Sequence, residues 1–124
     1  VRIGVAQGAR IQANEVQIGL TLPRFAIEVC RQRLSPAHLT LAAATAHPYS
    51  PPQALLAGFL DEVVDADALV SATRKHTDRL LGLHMPSFTA TKLRLRRPAL
   101  DALQVAIAED VADWSGRFLQ RPGA

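Results

Sequence analysis

Disulfide bonds, aromatic residues and long apolar runs are scarce or absent in this sequence. Cys30 is the only cysteine among 124 residues, so no disulfide forms within the chain, and a reducing compartment, the cytoplasm, is expected. Aromatic residues make up 5% of the sequence, which leaves Leu, Val, Ile and Ala to build most of the core. No apolar run reaches the roughly 18 residues that a membrane span needs, so no membrane association is expected.

The common metal and nucleotide motifs are also missing. The four histidines form no short pair such as HxxxH, and no second cysteine accompanies Cys30, so no metal site is expected. There is no Walker loop, GxSxG elbow or GxGxxG loop, which argues against nucleotide hydrolysis, serine-hydrolase chemistry and dinucleotide binding. Cys30 falls at an apolar position of a predicted helix, which favours a packed thiol over a nucleophile.

The net charge of +3 comes from two local groups of basic residues. They are Arg24, Arg31 and Arg33 in the first group, and Lys92, Arg94, Arg96 and Arg97 in the second. Either group can be a solvated helix face or can bind a phosphate-bearing ligand. A nucleic-acid reader usually interleaves aromatic residues with the basic ones, and these groups do not, so no nucleic-acid partner is expected.

The apolar periodicity predicts short strands and several helices. Strands are predicted at residues 1–6, 10–13 and 59–64. Helices are predicted at residues 23–34, 36–46, 51–57 and 86–97, with others starting after Asp65 or Asp67 and at Pro98. Ser50 and Gly58 are the expected caps of the helix at 51–57, and Ser35 is the expected N-cap of the helix at 36–46.

The last predicted helix has one strongly apolar face, which must pack on the body of the domain or on another subunit. Its residues are Leu100, Leu103, Ile107, Val111, Trp114 and Phe118. Glu109, Asp110 and Asp113 are expected on the polar face of the same helix.

Glu15 is the one carboxylate set in an apolar frame. It ends a predicted short strand and precedes a turn that contains Gly19 and Pro23. Most glutamates are solvated surface charges, and that reading stays open for Glu15. A partly buried carboxylate in such a frame can instead carry a proton in acid/base catalysis.

Several segments in order resemble the crotonase family, also called the enoyl-CoA hydratase/isomerase family. They are VRIG at residues 1–4, IQANEVQIGL at 11–20, Pro23, RLSP at 33–36, PQALLAGFLDEVV at 52–64 and the Thr91-Lys92 pair. The resemblance covers nearly the whole chain. Each motif is moderately specific, and their shared order and spacing carry the assignment.

The resemblance implies an α/β fold, a partial ClpP-like ββα spiral core followed by C-terminal helices used for trimerisation. Residues 1–65 would be the C-terminal part of that core, and residues 66–124 the helical segment. Because family members are about twice as long and carry their oxyanion-hole segments upstream of the part matching Val1, the chain is expected to be a C-terminal half. The isolated 124-residue chain is therefore expected to be inactive.

The resemblance also implies acyl-CoA chemistry with Glu15 as the acid/base. The Asn14-Glu15 pair is most similar to Δ3,Δ2-enoyl-CoA isomerases, in which one glutamate shifts the double bond. An enoyl-CoA hydratase, using Glu15 and an upstream glutamate, is the first alternative. Residues 23–26 depart from the Gly-rich stretch of many hydratases. A non-catalytic acyl-CoA-binding or assembly module is the second alternative.

Further site residues follow from the same resemblance. Leu20, Leu22, Pro23 and Phe25 are candidates for binding the acyl group, with ordinary core positions as the alternative. Lys92 is the candidate for binding CoA phosphates. The implied partners are the acyl-CoA substrate and copies of the same chain in a trimer or hexamer. No cofactor is implied beyond the coenzyme A thioester that serves as substrate.

Overall fold

A computed structural model describes the backbone of residues 1–119 and the side chains of residues 1–115. Two short strands and five α-helices follow one another, with 3-10 turns at Val16–Ile18 and Ala66–Ala68. In chain order they are β1 (Ile3–Val5), α1 (Arg24–Arg31), α2 (Pro36–Thr45), α3 (Pro51–Ala57), β2 (Glu62–Val64), α4 (Leu69–Leu81) and α5 (Met85–Leu119). Of these helices, none in the described part is long and apolar enough to cross a membrane.

The two strands form a small parallel sheet. Gly4 of β1 lies opposite Val63 of β2, and the Ala6 N–H extends the ladder by donating to the Val64 carbonyl at 2.8 Å. Parallel strands need a long crossover connection, and here it contains α1, α2 and α3. The strand expected at residues 10–13 is wrong: only Ile11 pairs there, in an isolated antiparallel bridge with Tyr49, because no longer partner strand lies beside it.

The buried core lies among the crossover helices. Its members are Leu34, Ala42, Tyr49, Ala54 and Ala57, with Ile11, Cys30, Leu39, Phe59 and Leu60 packed against them. Tyr49 is 1% exposed and is the largest fully buried side chain. Its ring packs on Phe59 with the centroids 5.3 Å apart, and its hydroxyl lies 3.3 Å from Nδ1 of His38. One tyrosine thus supplies much of the bulk in a core otherwise rich in alanine.

The predicted boundaries of α3 are confirmed at both ends. The Ser50 N–H donates to Oε1 of Gln53 at 3.0 Å, and Gly58 ends the helix with a φ of 102°. A Cβ atom on Gly58 would lie 2.3 Å from the Arg33 carbonyl oxygen, so only glycine fits at this crossing. The end of α3 therefore lies directly against the chain that leaves α1.

Asp61 ties the start of β1 to the same region. Its carboxylate accepts the Arg2 backbone N–H at 2.7 Å and the Arg33 guanidinium at 2.7 Å. The Arg2 guanidinium also donates to the Gly58 carbonyl at 2.7 Å. Arg33, a member of the first basic group, is therefore paired with the Asp61 carboxylate.

A single helix, α5, replaces the two helices expected on either side of Pro98. Proline removes one helical N–H and crowds the carbonyl four residues earlier, which normally breaks a helix. Here the helix continues because tertiary packing of α5 on α1 outweighs the local preference. The helix start expected at Pro98 is therefore wrong.

The face of α5 that packs on α1 also differs from the predicted one. Ala99, Ala106 and Asp110 are the buried residues of α5, each 4–6% exposed. Leu100, Ile107, Val111 and Trp114, from the predicted face, are 42–51% exposed, whereas Leu103 is partly buried. Phe118 lies outside the described side chains. Small alanines allow close approach to α1, so the helix turns its most apolar stripe away from this chain.

Candidate active site

Glu15 lies between a segment that hydrogen bonds hold to the core and a tight turn. Before it, the Ile11 N–H donates to the Tyr49 carbonyl at 3.0 Å, and the Gln12 side chain donates to the Ala46 carbonyl at 2.5 Å. After it, the Leu20 N–H donates to the Glu15 carbonyl at 2.9 Å, closing the 3-10 turn. Gly19 ends this turn in the left-handed region at a φ of 79°, which explains the glycine of the predicted apolar turn.

The carboxylate of Glu15 is incompletely satisfied. Its Oε2 atom is buried and has no hydrogen-bond partner among the described residues. Burial raises the pKa of the Cys30 thiol, and the nearby negative charge of Glu15 raises it further. A buried carboxylate oxygen without a partner is costly to fold, and a catalytic role is one of the explanations for it.

The turn that follows Glu15 exposes apolar side chains. Val16, Ile18 and Leu20 are 46%, 61% and 58% exposed, respectively. On α1, Phe25 and Val29 are also more than one third exposed. Exposed apolar side chains that follow a partly buried carboxylate along the chain are typical of a surface that binds a ligand or another protein segment.

The four candidate acyl-binding residues divide into two pairs. Leu20 and Phe25 face solvent, as just described. Leu22 is 6% exposed and lines, with the partly buried Pro23, a cavity of about 330 Å³ between the start of α1 and α5. Asp110, Asp113 and Trp114 of α5 line the same cavity.

Lys92, the candidate for CoA binding, lines a different cavity. This cavity of about 600 Å³ lies between the end of α4 and the first half of α5, and it also contains Arg96 and His84. The Lys92 ammonium lies 5.7 Å from the centroid of the Phe88 ring, a cation–π distance. The cavity combines apolar walls with two cationic side chains.

Asp110 is a structurally important residue that the sequence did not predict. It was expected on the polar face of α5, yet it is 4% exposed, so that expectation is wrong. Its two oxygens accept the backbone N–H groups of Arg24 at 3.1 Å and Phe25 at 3.0 Å, at the N-terminus of α1. Its spacing from Ala99 and Ala106 on one helical face was the only available signal.

The pKa of Asp110 reflects a balance of two effects. Burial raises it, but the backbone N–H groups of Phe25 and Arg24, together with the Arg24 guanidinium, lower it more, so the pKa lies below its ordinary value. Asp110 is therefore held as a carboxylate. In the described part of the chain, no group of three His, Cys, Asp or Glu side chains is placed to hold a metal ion.

Several solved structures share this architecture. An enoyl-CoA hydratase/isomerase family protein from Pseudomonas syringae is 38% identical with a TM-score of 0.85, over 87% of this chain and 47% of that one. An enoyl-CoA hydratase from Mycobacterium ulcerans is 37% identical with a TM-score of 0.83, over 90% and 49%. An enoyl-CoA isomerase from Mycobacterium tuberculosis is 35% identical with a TM-score of 0.83, over 89% and 48%.

These neighbours define the fold as a partial α/β crotonase fold, as the sequence predicted. The chain belongs to the enoyl-CoA hydratase/isomerase family, and it spans about half the length of the members it matches, consistent with a C-terminal half. No protein-family model and no curated protein sequence matches the chain. The same Mycobacterium tuberculosis protein is described as an enoyl-CoA isomerase in one solved structure and as a probable enoyl-CoA hydratase in another, so the likeness does not distinguish the two reactions.

Proposed function

We propose that this chain supplies the acid/base carboxylate of an acyl-CoA-processing enzyme, with Glu15 shifting the double bond of an enoyl-CoA. The observation that carries the proposal is the buried Oε2 atom of Glu15, which has no partner among the described residues. An oxygen in that state is free to accept a proton from a bound substrate. The order of family-like segments on both sides of Glu15 supports the same assignment.

In the isomerase reaction, Glu15 removes a proton from C2 of a 3-enoyl-CoA. The electron pair left on C2 moves into the thioester, so negative charge develops on the thioester oxygen. The protonated Glu15 then returns a proton at C4, and the double bond moves from C3–C4 to C2–C3. A positioned acid/base group of this kind contributes about 10²–10⁴ in rate.

Apolar side chains that follow Glu15 along the chain suit a substrate with an apolar acyl group. The exposed Leu20 and Phe25, with Leu22 and Pro23 beside the start of α1, are the proposed acyl-binding residues. Lys92 is the proposed contact for CoA phosphates. In this proposal the two N–H donors to the thioester oxygen come from the upstream segments that the resemblance implies, and each such donor is worth about 10²–10³ in rate.

The exposed apolar face of α5 supports assembly with other copies of the chain. Leu100, Ile107, Val111 and Trp114 remain 42–51% exposed on it, and covering such a face removes apolar area from water. The proposed assembly is a trimer or hexamer, and the proposed compartment is the cytoplasm. Residues 66–124 would then be the segment used for assembly.

Hydration of an enoyl-CoA is the second candidate function, since similar solved structures are described as hydratases as well as isomerases. In that reaction Glu15 and an upstream glutamate would add water across the double bond, with a proton at C2 and hydroxyl at C3. The two reactions differ in their products, so a direct assay separates them.

The test uses the whole protein encoded by the gene and two substrates, a 3-enoyl-CoA and a 2-enoyl-CoA. The proposal predicts conversion of the 3-enoyl-CoA to its 2-isomer, with little 3-hydroxyacyl-CoA formed from the 2-enoyl-CoA. Predominant hydration would favour the second candidate. Binding of both thioesters without any turnover would leave a non-catalytic binding module and would reject the enzymatic proposal. The 124-residue chain alone is expected to show no turnover.

A further inference from the structure

The segment that carries Glu15 has few ties to the rest of the molecule. It leaves the core at Ile11, whose backbone pairs with that of Tyr49, and the next buried side chain along it is Leu22, at 6% exposed. Residues 16–21, which lie in between, are all exposed. Burial of side chains in the core therefore does little to place the turn that follows Glu15.

One hydrogen bond joins this segment to the rest of the chain. Among the described residues, the side-chain amide of Gln12 is the only group of residues 12–21 that bonds outside them, and it donates to the Ala46 carbonyl at 2.5 Å. Ala46 is a fixed anchor, because it is 5% exposed and caps the end of α2 by donating its N–H to the Leu41 carbonyl. Alanine rarely adopts its φ of 51°, and such conformations persist where the surrounding structure determines them.

The same amide of Gln12 also bonds the turn. It donates to Oε1 of Gln17 at 2.8 Å, and Gln17 lies in the 3-10 turn that the Leu20 N–H closes on the Glu15 carbonyl. The chemistry of the groups orients both side chains. A carbonyl only accepts, so the Gln12 atom that faces Ala46 must be the nitrogen, and the Gln17 atom that faces this nitrogen must be the oxygen. Gln12 thus uses both of its N–H donors, one on the end of α2 and one on the turn.

We propose that Gln12 is a positioning residue for Glu15: its side-chain amide holds the turn at residues 15–20 against the end of α2, and so fixes the backbone from which the Glu15 carboxylate projects. The catalytic meaning of this role rests on the proposed function of Glu15. The placement of the turn does not, since it concerns only the hydrogen bonds of Gln12. Gln12 acts through Glu15 and needs no contact with substrate.

Gln12→Met tests this role in the whole encoded protein, because methionine keeps the length of the side chain and has no N–H donor. Misplacing a reacting group by about 1 Å can cost about 10²-fold in rate, so kcat for the 3-enoyl-CoA should fall by about 10–10²-fold. The value of kcat/KM should fall equally, since Gln12 does not bind the substrate. Gln32→Met is the matched control, because it makes the same change at an exposed glutamine that ends α1, and it should leave kcat intact.

Gln17→Met removes the other partner of the bond to the turn. Gln17 is exposed, so this variant also covers the case in which Gln12→Met does not fold. It should lower kcat in the unchanged background but not in the Gln12→Met background, where the bond is already lost. Losses in kcat that multiply in the double variant would overturn the proposal. A kcat of either single variant equal to that of Gln32→Met would do the same, as would a rise in KM at unchanged kcat.

Hydrogen exchange measures the placement of the turn without any turnover. In Gln12→Met, the backbone N–H groups of residues 16–20 should exchange about 2–10-fold faster for each hydrogen bond removed, whereas exchange in α4 should stay unchanged. Unchanged exchange in the turn, or equally faster exchange in α4, would overturn the proposal. Turnover of Glu15→Gln is scored separately. If it survives while the turn exchanges faster in Gln12→Met, the proposed function fails and the placement of the turn by Gln12 stands.

Discussion

Replacing Gly58 by alanine tests the close contact between the end of α3 and the chain that leaves α1. Gly58 has a φ of 102°, and an added Cβ would lie 2.3 Å from the Arg33 carbonyl oxygen and 3.3 Å from the Leu34 Cα. A side chain at positive φ costs about 1–2 kcal/mol. Overpacking against atoms that cannot move freely costs about 1–3 kcal/mol more.

Gly58→Ala is therefore expected to lower the free energy of unfolding by about 2–5 kcal/mol, a large part of the roughly 5–15 kcal/mol of a typical domain. Urea denaturation followed by circular dichroism measures it. Gly19→Ala is the control, because Gly19 also has a positive φ, 79°, but nothing lies within 4 Å of the added Cβ. It should show the backbone strain alone, about 1–2 kcal/mol.

The difference between the unfolding free energies of the two variants measures the cost of the contact with the Arg33 carbonyl. Because the Leu34 N–H donates to the Cys30 carbonyl at 2.8 Å, a shift of that backbone would also reach α1. A Gly58→Ala protein no less stable than Gly19→Ala would refute the reasoning, since the close approach would then have no energetic consequence.

Four further variants, at three positions, have defined outcomes in the same denaturation assay. Tyr49→Ala should lower the free energy of unfolding by about 3–5 kcal/mol because the side chain is 1% exposed, whereas Tyr49→Phe, which removes only the contact with His38, should cost about 0.5–1.5 kcal/mol. Pro98→Ala restores an N–H that can donate to the Arg94 carbonyl, so it should raise the free energy of unfolding by up to about 3 kcal/mol; a loss would mean that the helix needs the proline. Folding lowers the pKa of Asp110, so its ionised form stabilises the fold above the ordinary carboxyl range, and this contribution disappears as pH falls through the lowered value. Asp110→Asn should therefore reduce the loss of stability below about pH 4. An unchanged dependence of stability on pH would argue against the cap.

Local chemistry explains what could be predicted from the sequence. Ser50 and Gly58 set the ends of α3 through backbone geometry that two residues determine by themselves. Glu15 is predicted because family-like segments lie in order on both sides of it. Gly19 is predicted in the turn because the turn needs a positive φ, which glycine adopts readily. These features depend on residues that lie close together in the sequence, so the sequence alone predicts them.

The features that could not be predicted depend on tertiary contacts. Pro98 favours a helix start by its local chemistry, but packing of α5 on α1 keeps the helix continuous. Asp110 looked like a surface residue because its partners, the first N–H groups of α1, lie more than 80 positions away. Apolar periodicity identified the most apolar stripe of α5, whereas alanines and one buried carboxylate form the face that actually contacts α1.

The central claim is that Glu15 carries the proton in an acyl-CoA reaction, and the direct measurement is kcat of the Glu15→Gln variant of the whole encoded protein. Glu28→Gln is the matched control: it makes the same change on α1, where Glu28 pairs with Arg31 at 3.1 Å. The account predicts a fall in kcat of about 10²–10⁴ for Glu15→Gln, with the Kd for the acyl-CoA largely unchanged and kcat of the control intact. Turnover by Glu15→Gln equal to that of Glu28→Gln would contradict the claim and leave Glu15 a structural residue.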